Sequence, residues 1–154
     1  MYSNELVCNI LDYLEQNMDI EISIDLLSSV FCYDKFYIMK RFKKELGISI
    51  VNYINTIKIY NSLKYFKSDD SILKISLESG FHSLEYYSEM FKRVIGVSPM
   101  TYKQFIKHDI RVEADEVSTI INSLVKLDEL RYKIMFYRRR VKPSTVMVKK
   151  LSLQ

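Results

Sequence analysis

The chain contains one short pattern twice. "KRFKKELGISIVNY" (residues 40–53) lies over "EMFKRVIGVSPMTY" (residues 89–102) at an offset of 49. Phe42 meets Phe91, Lys43 meets Lys92, Gly47 meets Gly96, Ser49 meets Ser98 and Tyr53 meets Tyr102. Upstream, with one residue inserted, Leu27-Ser28 meets Ile75-Ser76 and Cys32-Tyr33 meets Gly80-Phe81. Chance supplies two or three such matches, not a whole supersecondary unit, so the fold must accommodate two copies of one small motif.

Each copy reads as helix, tight turn, helix. In the first, Ile24, Leu27 and Phe31 form an apolar stripe, with Leu26 and Val30 beside it. Asp34 is placed to cap a second helix whose inner face is Ile38, Phe42 and Leu46. In the second, Ser71 caps a helix bearing Ile72, Ile75 and Ser79, and Gly80 permits a turn with positive φ. Ser83 then caps a helix carrying Tyr87, Met90, Phe91 and Val94 at helical spacing. Gly47 and Gly96 end their helices, and Pro99 enforces the second stop. The small Ser28 and Ser76 allow the paired helices to approach closely. This is helix-turn-helix geometry, in which the second helix can enter a DNA major groove. Only three glycines and two prolines interrupt 154 residues, which favours helices throughout.

Between the copies, residues 50–66 read as one linker helix of about 25 Å at 1.5 Å per residue. Adjacent major grooves on one face of B-DNA lie ~34 Å apart, so such a rod could hold two recognition helices near that spacing. A core helix is the blander reading, and the two are compatible.

Several function classes lack their residues. Cys8 and Cys32 form no metal-like spacing, and His82 and His108 have no partner ligand four residues away. Neither a nucleophile–base pair nor a phosphate loop is visible, so no catalytic residue, metal or cofactor is expected. No apolar run reaches the ~18 residues of a membrane span and no basic leader opens the chain, which leads us to expect a cytoplasmic protein. The net charge of +4 hides segregation. Residues 1–33 carry six acids and no Lys or Arg, whereas residues 35–44 carry five basic side chains and residues 131–150 carry eight, both without an acid.

The residues also resemble a family. Ile75, Gly80-Phe81, Phe91-Lys92 and Gly96-x-Ser98-Pro99-x-x-Tyr102-Lys103, preceded by a second copy of the motif, look like the paired helix-turn-helix domain of AraC/XylS-type transcriptional regulators. The resemblance covers roughly residues 5–107. A helix over residues 5–16 with Leu6, Ile10 and Leu14 inward resembles the family's opening helix. The resemblance implies bacterial, sequence-specific promoter binding, often with activation through RNA polymerase, in the manner of short members without a separate effector domain. Departures are Cys32 where the family usually has Gly, Arg41 where it has an aliphatic residue, and Lys40, Glu89 and Lys103 where it often has Arg. A Cys at positive φ costs ~1 kcal/mol or more, so a different first turn is a possibility.

The two candidate reading faces differ. On the first, Lys35, Phe36, Met39, Lys40 and Lys43 lie along an outward stripe flanked by Arg41 and Lys44. Lys40 can donate to guanine O6/N7, while Phe36 and Met39 can pack on thymine methyls or against a neighbouring helix. Lys35, Lys43 and Lys44 suit phosphates. On the second, Ser83, Leu84, Glu85, Ser88, Glu89 and Lys92 occupy the equivalent positions. The two carboxylates can accept from cytosine N4, meet a protein, or simply face solvent.

Residues 108–154 lie outside the family pattern. Val117, Ile120, Ile121, Leu124 and Leu127 share a helical face, a dimer surface or one that packs back on the first domain. "RYKIMFYRRRV" and "TVMVKKLSL" read as strands of a hairpin around "KPS", or the first continues the helix through Arg140. Arg138, Arg139 and Arg140 could add phosphate contacts or solubilise the tail.

The expected architecture is therefore all-α. A tandem helix-turn-helix domain spans 1–107, with motifs at about 24–46 and 71–95 and a linker helix at 50–66. An extension, 108–154, consists of a helix followed by a hairpin, with continuation of the helix through Arg140 as the alternative. Double-stranded promoter DNA is the expected partner, with RNA polymerase and a second copy of the chain through 113–153 as further ones. The alternative is an interaction module of the same fold that binds a partner regulator or polymerase and grips DNA weakly or not at all.

Overall fold

The computed structural model describes residues 3–142. Helices follow in the order α1 (Ser3–Gln16), α2 (Ile24–Phe31), α3 (Lys35–Leu46), α4 (Ile50–Ser62), a 3-10 turn (Leu63–Lys67), α5 (Ile72–Glu78), α6 (Leu84–Ile95), α7 (Pro99–Ile106) and α8 (Ala114–Val141). The described residues contain no strand. They fall into two compact units: residues 3–17, 22–52 and 129–142 form one, and residues 18–21 and 53–128 the other.

In the first unit α1 and α2 both pack on α3. Leu6, Val7, Ile10, Leu11 and Leu14 of α1 are buried, together with Leu27, Ile38, Phe42 and Leu46. Caps set the helix ends by local chemistry. Ser23 Oγ accepts the Leu26 N–H at 3.0 Å, and Asp34 Oδ2 accepts those of Phe36 and Tyr37. The turn between α2 and α3 keeps the shape of its counterpart: Cys32 sits at φ 57°, in the left-handed region that Gly80 occupies at φ 83°. Ser28 Oγ closes the turn by donating to the Tyr33 carbonyl at 2.5 Å. Cys32 therefore carries a steric cost that glycine would not. Cys32→Gly is expected to raise the unfolding free energy by about 1 kcal/mol, read as a higher urea midpoint at constant slope.

The second unit is built on aromatic packing. Phe66, Phe91 and Tyr102 meet pairwise with ring centroids 5.0–5.6 Å apart, and Phe81 stands edge-on to Tyr87 at 5.0 Å. Ser62 hydrogen-bonds the buried Tyr87 hydroxyl at 2.9 Å and donates to the Ile59 carbonyl at 2.6 Å. That back-bond to the previous turn accompanies the end of α4: the expected single helix over 50–66 stops at Ser62 and tightens into the 3-10 turn. Lys58 is 5% exposed and donates to the carbonyls of Ile20 and Gly80 at 2.8 and 3.2 Å. Burial pushes its pKa down, while Glu21 and Asp19 pull it up.

The extension overturns the hairpin expectation over residues 131–141, which are helical as part of α8. Ile134 and Tyr137 continue the buried face begun by Ile120 and Leu127, so the apolar period is that of a helix, not a strand. The expected second strand lies outside the described residues. Nor do Ile120 and Ile121 share a fate: Ile120 is buried and Ile121 is 49% exposed. The expected apolar face is thus largely a packing face. Residues 114–128 of α8 belong to the second unit and the rest to the first.

In the first unit the basic end of α8 meets the acidic α1. Arg138 Nη1 donates to Glu15 at 2.9 Å and Nη2 to Asp12, Lys142 bonds Asn9, and the Tyr137 hydroxyl donates to the Asn4 carbonyl at 3.2 Å. Part of the charge segregation along the sequence is therefore internal pairing.

Candidate nucleic-acid interface

The inward residues of α3 fix its outward ones. With Ile38, Phe42 and Leu46 buried, helical spacing turns Phe36, Lys40 and Lys43 away from the unit. Phe36 is 67% exposed, which disposes of packing as its main role, and Met39 is 39% exposed. Lys40, Lys43 and Lys44 are exposed and have no carboxylate within ion-pair distance among the described residues. Lys35 is partly balanced by Asp25 at 3.6 Å and lies over the Phe36 ring at 5.6 Å. Arg41 does not flank this face as its sequence position suggests. It stands where the second copy has the buried Met90, is half-buried, and pairs with Glu45 at 2.7 Å. Tyr37, which the sequence reading passed over, is 39% exposed and stacks on Tyr33 with centroids 5.3 Å apart.

On α6 the same logic buries Tyr87, Met90, Phe91 and Ile95 and exposes Glu85, Glu89 and Lys92. Ser83 serves first as the helix cap, its Oγ accepting the Tyr86 N–H at 3.0 Å and approaching Glu85 Oε2 at 3.2 Å. Glu89 pairs with Arg93 at 3.6 Å, one turn on. Arg93 occupies the place of Lys44 at the repeat offset and was missed; the repeat itself could have found it. The carboxylates thus have local answers, and the α6 face is mixed rather than acidic. Leu84 and Ser88 turn sideways, half-buried, into an open groove of about 430 Å³. Ile72, Pro99 and Met100 complete its apolar lining, and Glu89, Lys92 and Ser98 line it as well.

The described residues hold no cluster of three or more His, Cys, Asp or Glu able to bind a metal, and no helix long and apolar enough to cross a membrane. Cys8 is buried and Cys32 exposed, both as free thiols.

Two helices with exposed outward faces on repeated scaffolds are what a tandem helix-turn-helix requires. A helix-turn-helix domain family model matches residues 27–104, spanning both copies. The chain belongs to the AraC/XylS-type family of transcriptional regulators. Among its relatives, the multiple antibiotic resistance protein MarA of Escherichia coli is 31% identical over 96 residues, 62% of this chain and 76% of MarA. The HTH-type transcriptional regulator YbfP of Bacillus subtilis is 28% identical over 108 residues. That match covers 70% of this chain but 37% of YbfP, so the chain spans little more than a third of that relative's length. Among solved structures, the DNA-binding domain of AdpA in complex with a target DNA superposes with a TM-score of 0.62 over 70% of this chain and 97% of that one. At 16% identity that likeness concerns the fold. The matched family region ends before α8, which contributes residues to both units.

Proposed function

We propose that this AraC/XylS-type chain regulates transcription in the cytoplasm by binding duplex DNA in adjacent major grooves, with α3 as the anchoring reader and α6 as the weaker one. The observation that carries the reading is the contrast between the two faces. The α3 face offers three exposed lysines beside an exposed aromatic ring, whereas on α6 a Glu–Arg pair occupies much of the equivalent surface. Lys40 suits a guanine edge, Phe36 and Met39 suit thymine methyls, and Lys43 and Lys44 suit phosphates. Glu85 and Glu89 suit cytosine N4. The action is binding, with no chemical step.

Fluorescence anisotropy on a selected operator and on random duplex separates the roles. Lys40→Ala should weaken the operator about tenfold and relax its sequence preference, while Lys43→Ala weakens both duplexes alike and lowers the salt slope by about one. Failure of the wild type to bind any duplex at low salt refutes the proposal.

The groove beside α6 favours a second reading for that helix alone. A largely apolar trough lined by Ile72, Leu84, Pro99 and Met100 together with the charged Glu89 and Lys92 is also the form of a protein contact, such as one with RNA polymerase during activation. If Glu85→Gln/Glu89→Gln leaves operator preference intact but lowers promoter activation, α6 meets protein. If it changes preference at one base pair, α6 reads DNA.

A further inference from the structure

The outward face of α8 carries a line of large apolar side chains that no described residue covers. Ile121, Val125, Tyr132 and Phe136 are exposed by 49%, 50%, 61% and 62%. Their spacing of four, seven and four residues puts them on one stripe of a continuous helix, opposite Ile120, Leu127 and Ile134. The stripe is about 22 Å long at 1.5 Å per residue. Four large apolar side chains in line are more than the scattered exposure usual on a protein surface.

Charge along the helix indicates what covers this stripe. Glu113, Asp115 and Glu116 stand at its start, and Arg139 and Arg140 lie exposed at its end. A second α8 laid parallel would set acid on acid and base on base. Laid antiparallel, it sets each end against its opposite. The stripe accepts that arrangement without adjustment: Ile121 falls opposite Phe136 and Val125 opposite Tyr132, because both pairs share a midpoint between Asp128 and Glu129. Asp115 of one copy then comes within a helical turn of Arg140 of the other, and Lys126 approaches Glu129.

We propose that the chain forms a homodimer through antiparallel pairing of α8, with Ile121, Val125, Tyr132 and Phe136 as its seam. Asp128 lies on the seam near the two-fold axis. A polar residue there costs affinity and favours one register over its neighbours.

This proposal stands whether or not α3 and α6 read DNA, and sedimentation equilibrium of the full chain over a concentration series tests it without DNA. A reversible monomer–dimer equilibrium is expected. Val125→Glu/Phe136→Glu should weaken it about a hundredfold with helical circular dichroism unchanged, since each charge would be buried twice. Should that variant lose helical signal, Ile121→Lys/Tyr132→Lys replaces it. Asp128→Asn should tighten the dimer about threefold by removing two carboxylates from the axis. Arg140→Glu or Asp115→Lys alone should weaken it about fivefold, and the two together in one chain should restore it. A monomer at every concentration overturns the proposal, as does a dimer indifferent to both seam variants. A charge swap that fails to restore association overturns the antiparallel arrangement.

Discussion

Gly96→Ala should destabilise the chain by about 3 kcal/mol, the sum of two costs. Gly96 ends α6 at φ 92°, a backbone conformation that a Cβ makes unfavourable by roughly 1–2 kcal/mol. The second cost is crowding: that Cβ would stand 2.3 Å from the Thr119 methyl of α8, far inside van der Waals contact. The close approach is held in place by Ser123 Oγ, which donates to the Ile95 carbonyl at 2.7 Å. The expected loss corresponds to a fall of about 10 °C in Tm. Thr119→Ser removes the offending methyl, so Gly96→Ala/Thr119→Ser should recover the crowding part and leave the backbone part. Gly47→Ala is the built-in comparison. Its φ is 73° and the nearest atom to the added Cβ is the flexible Lys133 Nζ at 3.0 Å, so about 1–2 kcal/mol should be lost. Equal destabilisation at the two glycines would refute the contact between α6 and α8.

The largest effect on binding is expected from Lys40→Glu/Lys43→Glu. Each reversal removes an attraction to DNA and adds a repulsion on the exposed face of α3. Together they should lower affinity for the operator about a thousandfold at 0.1 M salt and flatten the salt dependence by about two charges. Neither lysine touches the core, so the urea midpoint should stay within ~0.5 kcal/mol of the wild type. A binding loss accompanied by a lower urea midpoint would point to a shape defect of the helix rather than to lost electrostatics. Anisotropy over a salt series distinguishes them, since only the electrostatic loss changes the slope.

The parts of this fold that the sequence made legible are those decided within a few residues. Asp34, Ser71, Ser83, Gly47 and Gly96 cap or end helices as their types dictate, because the groups they satisfy lie in the adjacent turn. The same is true of the α3 stripe, where burying Ile38, Phe42 and Leu46 leaves the lysines no other side to face. What was misread depends on distant partners. The 131–141 segment has the aromatic and branched residues of a strand, but the acids that engage Arg138 lie more than a hundred residues earlier, on α1. Likewise the hydroxyl of Tyr87, which bonds Ser62 where α4 ends, comes from the far side of a turn. Arg41 and Met90 are equivalent in the repeat yet differ in chemistry, and only the packed unit shows the arginine drawn to Glu45 instead of outward.

Because α8 is divided between the units, the two copies of the repeat are not separable pieces of chain. Residues 129–142 complete the first unit only after the whole second unit has been traversed. A fragment ending at residue 107 would contain the entire matched family region and still lack Ile134 and Tyr137 from one interior and Ile120 and Leu127 from the other. During synthesis, then, the first motif emerges early, well before the residues 129–142 that belong to its unit. A ribosome stalled before α8 would display α3 and α6 on incomplete supports.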